Sequence, residues 1–558
     1  MDPSAIAALL REVSIYFELD SDRHRAGAYE RAAKSIDSAT GLHRLIDEGR
    51  LEELPAIGPS IARVVGDLWR RGSTDVLERL RAKWPPVVVE LALLPKVGAK
   101  RARELYKKFQ PADLEAVAAA CRAGAVRELP GFGSVSEAKI LQAIEERHLR
   151  GVRALLLDAS DSASAIAMHL AAGAGITRVE IAGPVRRACE VVEHLAFAVA
   201  CDAGADAVID RLASFALVTS VDRAQGVGYL AGGMRVHVHV AATGRFGWAL
   251  VEATGSVEHV AALEARARER GIDLGILAAP EERRIYIALG LPWIPPELRD
   301  GSDEIAMAAG GDTFADLIVE DDITTAFHCH TTYSDGKGTI AEMAQAAAEH
   351  GFAGITITDH SAAASYAGGI GADGLRAQAA EVAAMVDAPA RVLRGIEADI
   401  LVDGAIDVPA DCVGELDLVI ASIHQRFKLD EDAATARVIA AMRQPFFKVW
   451  GHALGRLVMR RDPVALHMDD VLDAIAESGR AAIEINGDPH RLDLDPENVR
   501  KALARGIKVV LSVDAHSTRN LDYLKWAVAM ARRARVRKRD VLNALPVDEL
   551  AAAIRPTG

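Results

Sequence analysis

The chain has 558 residues, 50% of them apolar and 26% charged, a balance typical of soluble globular protein but too long for one core, so about three to five folding units are expected. No uncharged apolar run is long enough for a membrane span, and residues 1–4 are not a basic region leading into an apolar run, so neither a membrane partner nor a secretory signal is expected. The net charge of −14 works against general attraction to polyanions. It leaves room for local attraction, because Lys100, Arg101 and Arg103 cluster with Lys107 and Lys108, and bound cations restore positive potential around carboxylates.

In chain order, Ile6, Leu9, Leu10 and Val13, then Tyr29, Ala32, Ala33 and Ile36, recur at helical spacing, so residues 3–40 read as helices. Three similar segments follow. They are Leu54-Pro55-Ala56-Ile57-Gly58-Pro59, Leu94-Pro95-Lys96-Val97-Gly98-Ala99-Lys100-Arg101, and Leu129-Pro130-Gly131-Phe132-Gly133-Ser134. Each has a leucine-proline opening, a glycine turn and a following helix. Glycine lets the backbone approach a ligand closely, and a helix start offers unpaired N–H groups to a phosphate oxygen. This is the helix-hairpin-helix pattern, which holds DNA backbone without reading sequence. Gly58, Gly98, Lys100, Arg101, Gly131 and Gly133 are the expected DNA contacts.

Residues 151–300 alternate strand-like and helical stretches, with strands expected at 178–183 and 234–240. His237 and His239 share a strand face, but two histidines do not complete a metal site. Residues 301–322, rich in Gly, Ala and Asp, read as a linker. The cysteines, Cys121, Cys189, Cys201, Cys329 and Cys412, lie too far apart for a zinc ribbon or a disulfide framework, so a reducing cytoplasm is expected.

From residue 327 onward the pattern changes. Phe327 leads into His328 and His330, which alternation would put on one face of a strand, and Asp335 follows in a turn. Then apolar runs repeatedly end in a metal-ligand type: Asp359 and His360, Glu397, His424, His452, and Asp514 with His516. Helical stretches such as 340–350 and 496–505 lie between them. Strands alternating with helices imply a parallel sheet, and polar groups at successive strand ends are where a β/α barrel carries its site. A lone histidine of this kind is usually a hydrogen-bonded core residue. Ligand-type residues repeated in one such pattern point to a metal cluster instead.

These motifs, together with Gly183-Pro184-Val185-Arg186-Arg187, Thr254-Gly255-Ser256 and Ala288-Leu289-Gly290-Leu291-Pro292-Trp293-Ile294-Pro295-Pro296-Glu297-Leu298-Arg299, resemble the bacterial family X DNA polymerases. These carry a C-terminal polymerase-and-histidinol-phosphatase (PHP) domain, and the resemblance covers nearly the whole chain. It implies a multidomain α+β protein. An N-terminal helical DNA-binding domain would occupy 1–85 and a fingers-like domain 86–150. A degenerate nucleotidyltransferase palm would occupy 151–240, a thumb 241–312 and a linker 313–322. A PHP phosphoesterase domain, a distorted (β/α)7 barrel, would fill 323–558.

The family polymerises with three aspartates holding two magnesium ions. The resemblance puts His194, Ala196 and His237 at those positions. Magnesium wants hard oxygen ligands, so no Mg²⁺ in the palm and no polymerisation are expected. Pro184 replaces the usual serine of the phosphate-binding turn, whose remaining expected contacts are Gly183, Arg186 and Arg187. Val64 stands where eukaryotic relatives carry a lyase lysine, so Schiff-base chemistry is not expected.

In the PHP half the resemblance implies up to three ions. His328, His330, Glu397 and Asp514 would hold the first, Glu397, His424 and His452 the second, and Asp335, His360 and His516 the third. Mixed nitrogen and oxygen donors suit Mn²⁺, Zn²⁺ or Fe²⁺. Asp359 or His360 would assist proton transfer, and Arg456, with Asn486 and Arg491, would contact phosphate. The implied activity is a manganese-dependent 3′→5′ exonuclease on gapped, nicked or single-stranded DNA, with 3′-end or abasic-site processing, working beside other repair proteins. Three alternatives stay open: a phosphatase for a small phosphomonoester such as histidinol phosphate, a DNA-binding repair scaffold, and a residual gap-filling polymerase.

Overall fold

A computed structural model describes residues 3–37, 39, 42–94, 97–150, 152–230, 233–385 and 387–556. Pro95 and Lys96 of the second hairpin lie outside the described residues. The chain divides into two units, residues 1–312 and 313–558.

The first unit opens with helices Pro3–Leu19 and Arg23–Asp37, whose Ile6, Leu9, Leu10, Val13, Ala32, Ala33 and Ile36 are buried, as helical spacing requires. Each of the three hairpins leads into a helix: Pro59–Arg71, Gly98–Phe109 and Ser134–Arg150. Proline at the first position and Gly72, at φ +73°, bound the helix Pro59–Arg71. Next come β1 (Ala154–Leu155), β2 (Ile176–Ala182), β3 (Val191–Val192), β4 (His194–Cys201), β5 (Val218–Asp222), β6 (Val227–Leu230) and β7 (Arg235–Ala241). β1 pairs with β3, and the rest form a five-stranded sheet in the order β2-β4-β7-β6-β5. Ala182, Ala196, Ala198 and Ala200 line one sheet face and pack against Phe246, Leu250 and Ala253 of the helix Phe246–Thr254. Small residues on the strands let that helix lie close.

The stretch 301–322 departs from the linker reading. Residues 304–309 form a helix whose Glu304 is buried and meets the buried His259 at 2.5 Å. Beyond the unit boundary, the Ile318 N–H bonds to the Val536 carbonyl at 3.1 Å, and Leu317 bridges Arg537. Polar, small-residue composition reads as linker, but these backbone bonds fix the segment.

The second unit is a barrel of β8 (Thr325–Cys329), β9 (Gly354–Ile357), β10 (Arg391–Asp399), β11 (Leu418–Ser422), β12 (Lys448–Trp450), β13 (Ala481–Asn486) and β14 (Val509–Ser512). The strands are parallel and lie in sequence order. Helices such as Ile340–Glu349, Ala372–Ala384 and Pro496–Ala504 cover the outside. Both faces of the strands are thus buried, which explains their unbroken apolar runs. The β14 end returns to β8: the N–H groups of Val513 and Ala515 bond to the carbonyls of Phe327 and His328 at 3.1 and 3.0 Å, and His330 N–H to the Ala515 carbonyl at 2.8 Å. The interior holds Phe327, Leu393, Ile420, Val449 and Val510, packed with Leu550 and Ile554 of the last helix. Truncating one of these to alanine is expected to cost about 2–5 kcal/mol. That packing fills the barrel at one end and leaves the strand C-termini to the polar residues.

Candidate metal centre

The polar residues are delivered by strand ends, but not by simple alternation. Pairing between β8 and β9 shifts register between Ala326 and Cys329, and His328 lies at φ +65°. This bulge re-aims His328 into the rim, while His330 lies beyond the strand's last residue. His452 and Asp514 also adopt positive φ, 24° and 47°. A left-handed backbone at three non-glycine positions persists only where the surroundings fix it. The Thr356 hydroxyl accepts the His328 N–H at 2.8 Å, and Glu484 accepts that of His452.

Glu397, at the centre, is almost wholly buried. Its Oε1 lies 2.8 Å from His452 Nε2 and 3.2 Å from His424 Nε2. Its Oε2 lies 2.9 Å from His360 Nδ1, 3.4 Å from His328 Nε2 and 3.7 Å from His330 Nε2. Asp514 Oδ1 stands 3.4 Å from His330 Nε2 and 3.9 Å from His328 Nε2. Asp335 Oδ1 stands 3.4 Å from His516 Nε2 and 3.6 Å from His360 Nε2. Three overlapping groups bring their ligand atoms within 4.8 Å of one another: His330, Asp335, His360 and His516; His328, His330 and Glu397; His360, Glu397 and His424. The geometry therefore shares His330 and His360 between groups that the resemblance keeps apart, and brings His360 beside His424.

Whether this set fits metal ions is tested by its unsatisfied atoms. His328 Nε2, His330 Nδ1 and Nε2, His360 Nδ1, His424 Nε2 and Glu397 Oε2 are buried without a hydrogen-bond partner. Each such atom is costly unless something binds it. They converge, and they are the donor types that ligate transition metals at about 2.0–2.2 Å. The set fits.

Charge agrees. Burial opposes ionisation of Glu397, but His424, His328 and His360 more than reverse this and hold its carboxyl well below the usual range. Asp514 is likewise held low against burial, by His328, His330 and Arg491. Burial pulls His424 down, while Glu397 and Asp399 push it up to about 9. Burial, with His516 and His360 nearby, takes His330 down to about 4.

A second layer orients these histidines, and the strand-end pattern misses it. Glu484 Oε1 meets His328 Nδ1 at 2.5 Å, and Asp399 Oδ1 meets His424 Nδ1 at 2.6 Å. A carboxylate on one ring nitrogen fixes the tautomer that offers the other to a metal. The available signal was a carboxylate inside an apolar strand: Glu484 between Ile483 and Ile485, and Asp399 two residues after Glu397.

Two expected roles change. Asp359 is fully buried and accepts bonds from Thr331 N–H, Thr331 Oγ1, Ser334 Oγ and Gln378 Nε2 at 2.6–2.8 Å. It anchors the turn carrying Asp335 and is not placed to move a proton. Arg456 donates Nε to the Arg491 carbonyl at 2.9 Å and a second nitrogen to the Leu492 carbonyl, so it holds a loop rather than facing the cluster. Asn486 Nδ2 and Arg491 Nε reach Asp514 Oδ2 at 3.1 and 3.2 Å, steadying that carboxylate.

Comparison with known proteins fits this geometry. Residues 326–486 match the PHP domain family, and residues 249–300 match the DNA polymerase beta thumb. A protein of Bacillus subtilis (strain 168) named DNA polymerase/3′-5′ exonuclease PolX is 31% identical over 591 aligned positions that span the whole of both chains. The chain belongs to the PolX family. Probable phosphatases of Thermoanaerobacter sp. (strain X514) and Caldanaerobacter subterraneus are 28% and 29% identical over 39% of this chain, covering 88% and 85% of their own lengths. In this PolX-family chain the PHP match runs from β8 to the end of β13, so Asp514 and His516 lie beyond it.

The other nominated residues fall in the first unit. Ala196 and His237 are register partners on the parallel strands β4 and β7, and the rings of His194 and His237 are 5.1 Å apart. Burial, then His237 and Arg235, lower His194 to about 4. Gly183, at φ +61°, lies so close that a Cβ there would stand 2.8 Å from Ala196 Cβ. The two arginines of this turn are held by groups of their own unit. Arg186 grips Glu282 with two bonds of 2.7 and 2.8 Å and Thr254 Oγ1 with a third, and Arg187 donates to the Thr254 carbonyl. Burial pushes Glu282 up, but Arg186 and the buried Arg299 outweigh it and hold the carboxyl down at about 2.

At the hairpins, a Cβ on Gly58, Gly98, Gly131 or Gly133 would meet nothing within 4 Å. The backbone there is open to an approaching ligand, and neither the helix Pro59–Arg71 nor Gly98–Phe109 has a side-chain cap. Lys100 is exposed, and Arg101 lies over the Phe132 ring at 5.8 Å, joining the second and third hairpins. No described helix is long and apolar enough to cross a membrane.

Proposed function

We propose that this chain is a metal-dependent 3′→5′ exonuclease on DNA, with its hydrolytic centre at the barrel rim and a palm that does not polymerise. The convergence of buried, unpartnered His and Glu atoms on Glu397 carries this reading. His328, His330, Asp335, His360, Glu397, His424, His452, Asp514 and His516 would hold the ions, and the mixed donors favour manganese over magnesium. Bound divalent cations supply Lewis-acid polarisation of a phosphate and acidified water.

The chain's own residues do the rest. Glu397 sits between two groups of histidines with one oxygen toward each. Glu484 and Asp399 keep the rings of His328 and His424 turned inward. Asp359 holds the turn that presents Asp335. Arg491 brings a permanent positive charge to the edge of the cluster, where a phosphate would arrive. The open hairpin glycines and Lys100 would hold DNA backbone, so binding should be independent of sequence and sensitive to salt.

The test is degradation of a labelled single-stranded oligonucleotide with Mn²⁺ by the parent and His330→Ala. Stepwise shortening by the parent alone supports the reading, and equal activity in both overturns it. The 28% identity to a probable phosphatase favours a second reading, hydrolysis of a small phosphomonoester. It wins if residues 1–558 release phosphate from such an ester but leave DNA untouched.

A further inference from the structure

Tyr366 is a large side chain left 65% exposed beside the most buried polar cluster of the barrel. Its ring centroid lies 6.2 Å from that of His360 and 6.3 Å from that of His424. Of the exposed large apolar side chains among the described residues, it is the one with ring contacts to this ligand set.

The loop that carries it is braced by bonds and close packing. Ile370 N–H returns to the His360 carbonyl at 2.8 Å, and Gly369 N–H to the Ala364 carbonyl at 3.2 Å. Gly369 packs so tightly that a Cβ there would stand 1.9 Å from the Ser361 carbonyl oxygen. Ala363 is held on both sides, its N–H by Asp407 at 2.7 Å and its carbonyl by Gln425 at 2.8 Å. An aromatic ring carried on such a loop presents its exposed face at a reduced ordering cost on binding.

From this geometry we propose that Tyr366 is a stacking platform for the unpaired base of the 3′-terminal nucleotide, a positioning residue that sets the substrate class. The inference rests on the exonuclease reading and deepens it. A nucleotide whose phosphate lies on the cluster has its base within reach of a ring next to His360 and His424. Every base has a π face, so stacking there holds the strand end without selecting sequence. A small phosphomonoester lacking a base gains nothing from it, so the same contact separates a DNA end from a simple phosphate ester.

The experiment uses the full chain with Mn²⁺ and two oligonucleotides, one ending in an ordinary nucleotide and one in an abasic tetrahydrofuran residue. Tyr366→Ala should raise KM for the ordinary end about five- to hundredfold, with kcat and metal content unchanged. It should leave the abasic end as the parent treats it. Tyr366→Phe and Tyr366→Trp should retain the parent's KM. Equal loss on both ends, no loss on either, or a Phe variant as poor as Ala overturns the proposal. If the parent shortens neither oligonucleotide, the exonuclease reading fails on its own. Fluorescence-anisotropy binding of the same pair then decides for Tyr366: a selective loss of affinity for the ordinary end in Tyr366→Ala supports stacking, and its absence refutes it.

Discussion

In the five-stranded sheet of the first unit, His194 and His237 stand on neighbouring parallel strands beside Ala196, and they belong to no metal-binding group found among the described residues. At the barrel rim, His328, His330, His360, His424, His452 and His516 each lie within 4 Å of a carboxylate, and Glu397 meets most of them. The comparison teaches that strand-borne histidines do not by themselves make a cation site. Around His194 the neighbours are imidazole and guanidinium, which with burial favour the neutral ring. Around Glu397 the opposite charges stabilise each other and leave inward atoms for a cation to satisfy.

The rim is most vulnerable at His330, which has two unpartnered ring nitrogens. His330→Ala should lower nuclease turnover by at least about a hundredfold, more than loss of a supporting residue costs. Activity equal to the parent's would remove the rim as the hydrolytic centre.

The first unit can be weakened without touching that rim. Glu282 is held down at about 2 from an ordinary 4.5, so its contribution to stability is full above 4.5 and is lost as pH falls toward 2. Glu282→Gln should therefore cost about 3 kcal/mol at neutral pH, and the gap to the parent should close on acidification. Denaturant melts across pH check this, and a gap that persists at pH 2 contradicts it. Nuclease turnover per folded molecule should not change.

Glu484→Gln and Asp399→Asn sharpen the account of the second layer. Each should weaken manganese binding by about 10–100-fold, as read by calorimetric titration, while the fold survives. Unchanged affinity would make these carboxylates bystanders. The smallest effect belongs to the hairpins: Lys100→Ala should reduce the salt slope of DNA binding by about 1, uniformly across sequences.

How much was legible follows from what each residue's role depends on. The barrel showed in the alternation of buried apolar runs with helices, and the residues that gather at the rim showed as those that end each run, because both are local. Glu484 and Asp399 lie within strands, and their role depends on the ring opposite, which spacing along the chain does not reveal. The same limit governs the arginines. Arg186 and Arg456 look like phosphate contacts until Glu282 and the Arg491 and Leu492 carbonyls are found holding them. His328 reached the site through a bulge with a positive φ, not through the alternation that nominated it. The segment 301–322 was read from composition, while its order comes from backbone bonds to Val536 and a buried Glu304.

The most direct measurement puts both regions on one gel: a 5′-labelled primer annealed across a gap, with Mn²⁺ and all four nucleotide triphosphates. The account predicts that the full chain shortens the primer and never lengthens it, and that His330→Ala leaves it intact. A primer extended along the template would contradict it, because the sheet carrying His194, Ala196 and His237 would then be catalysing.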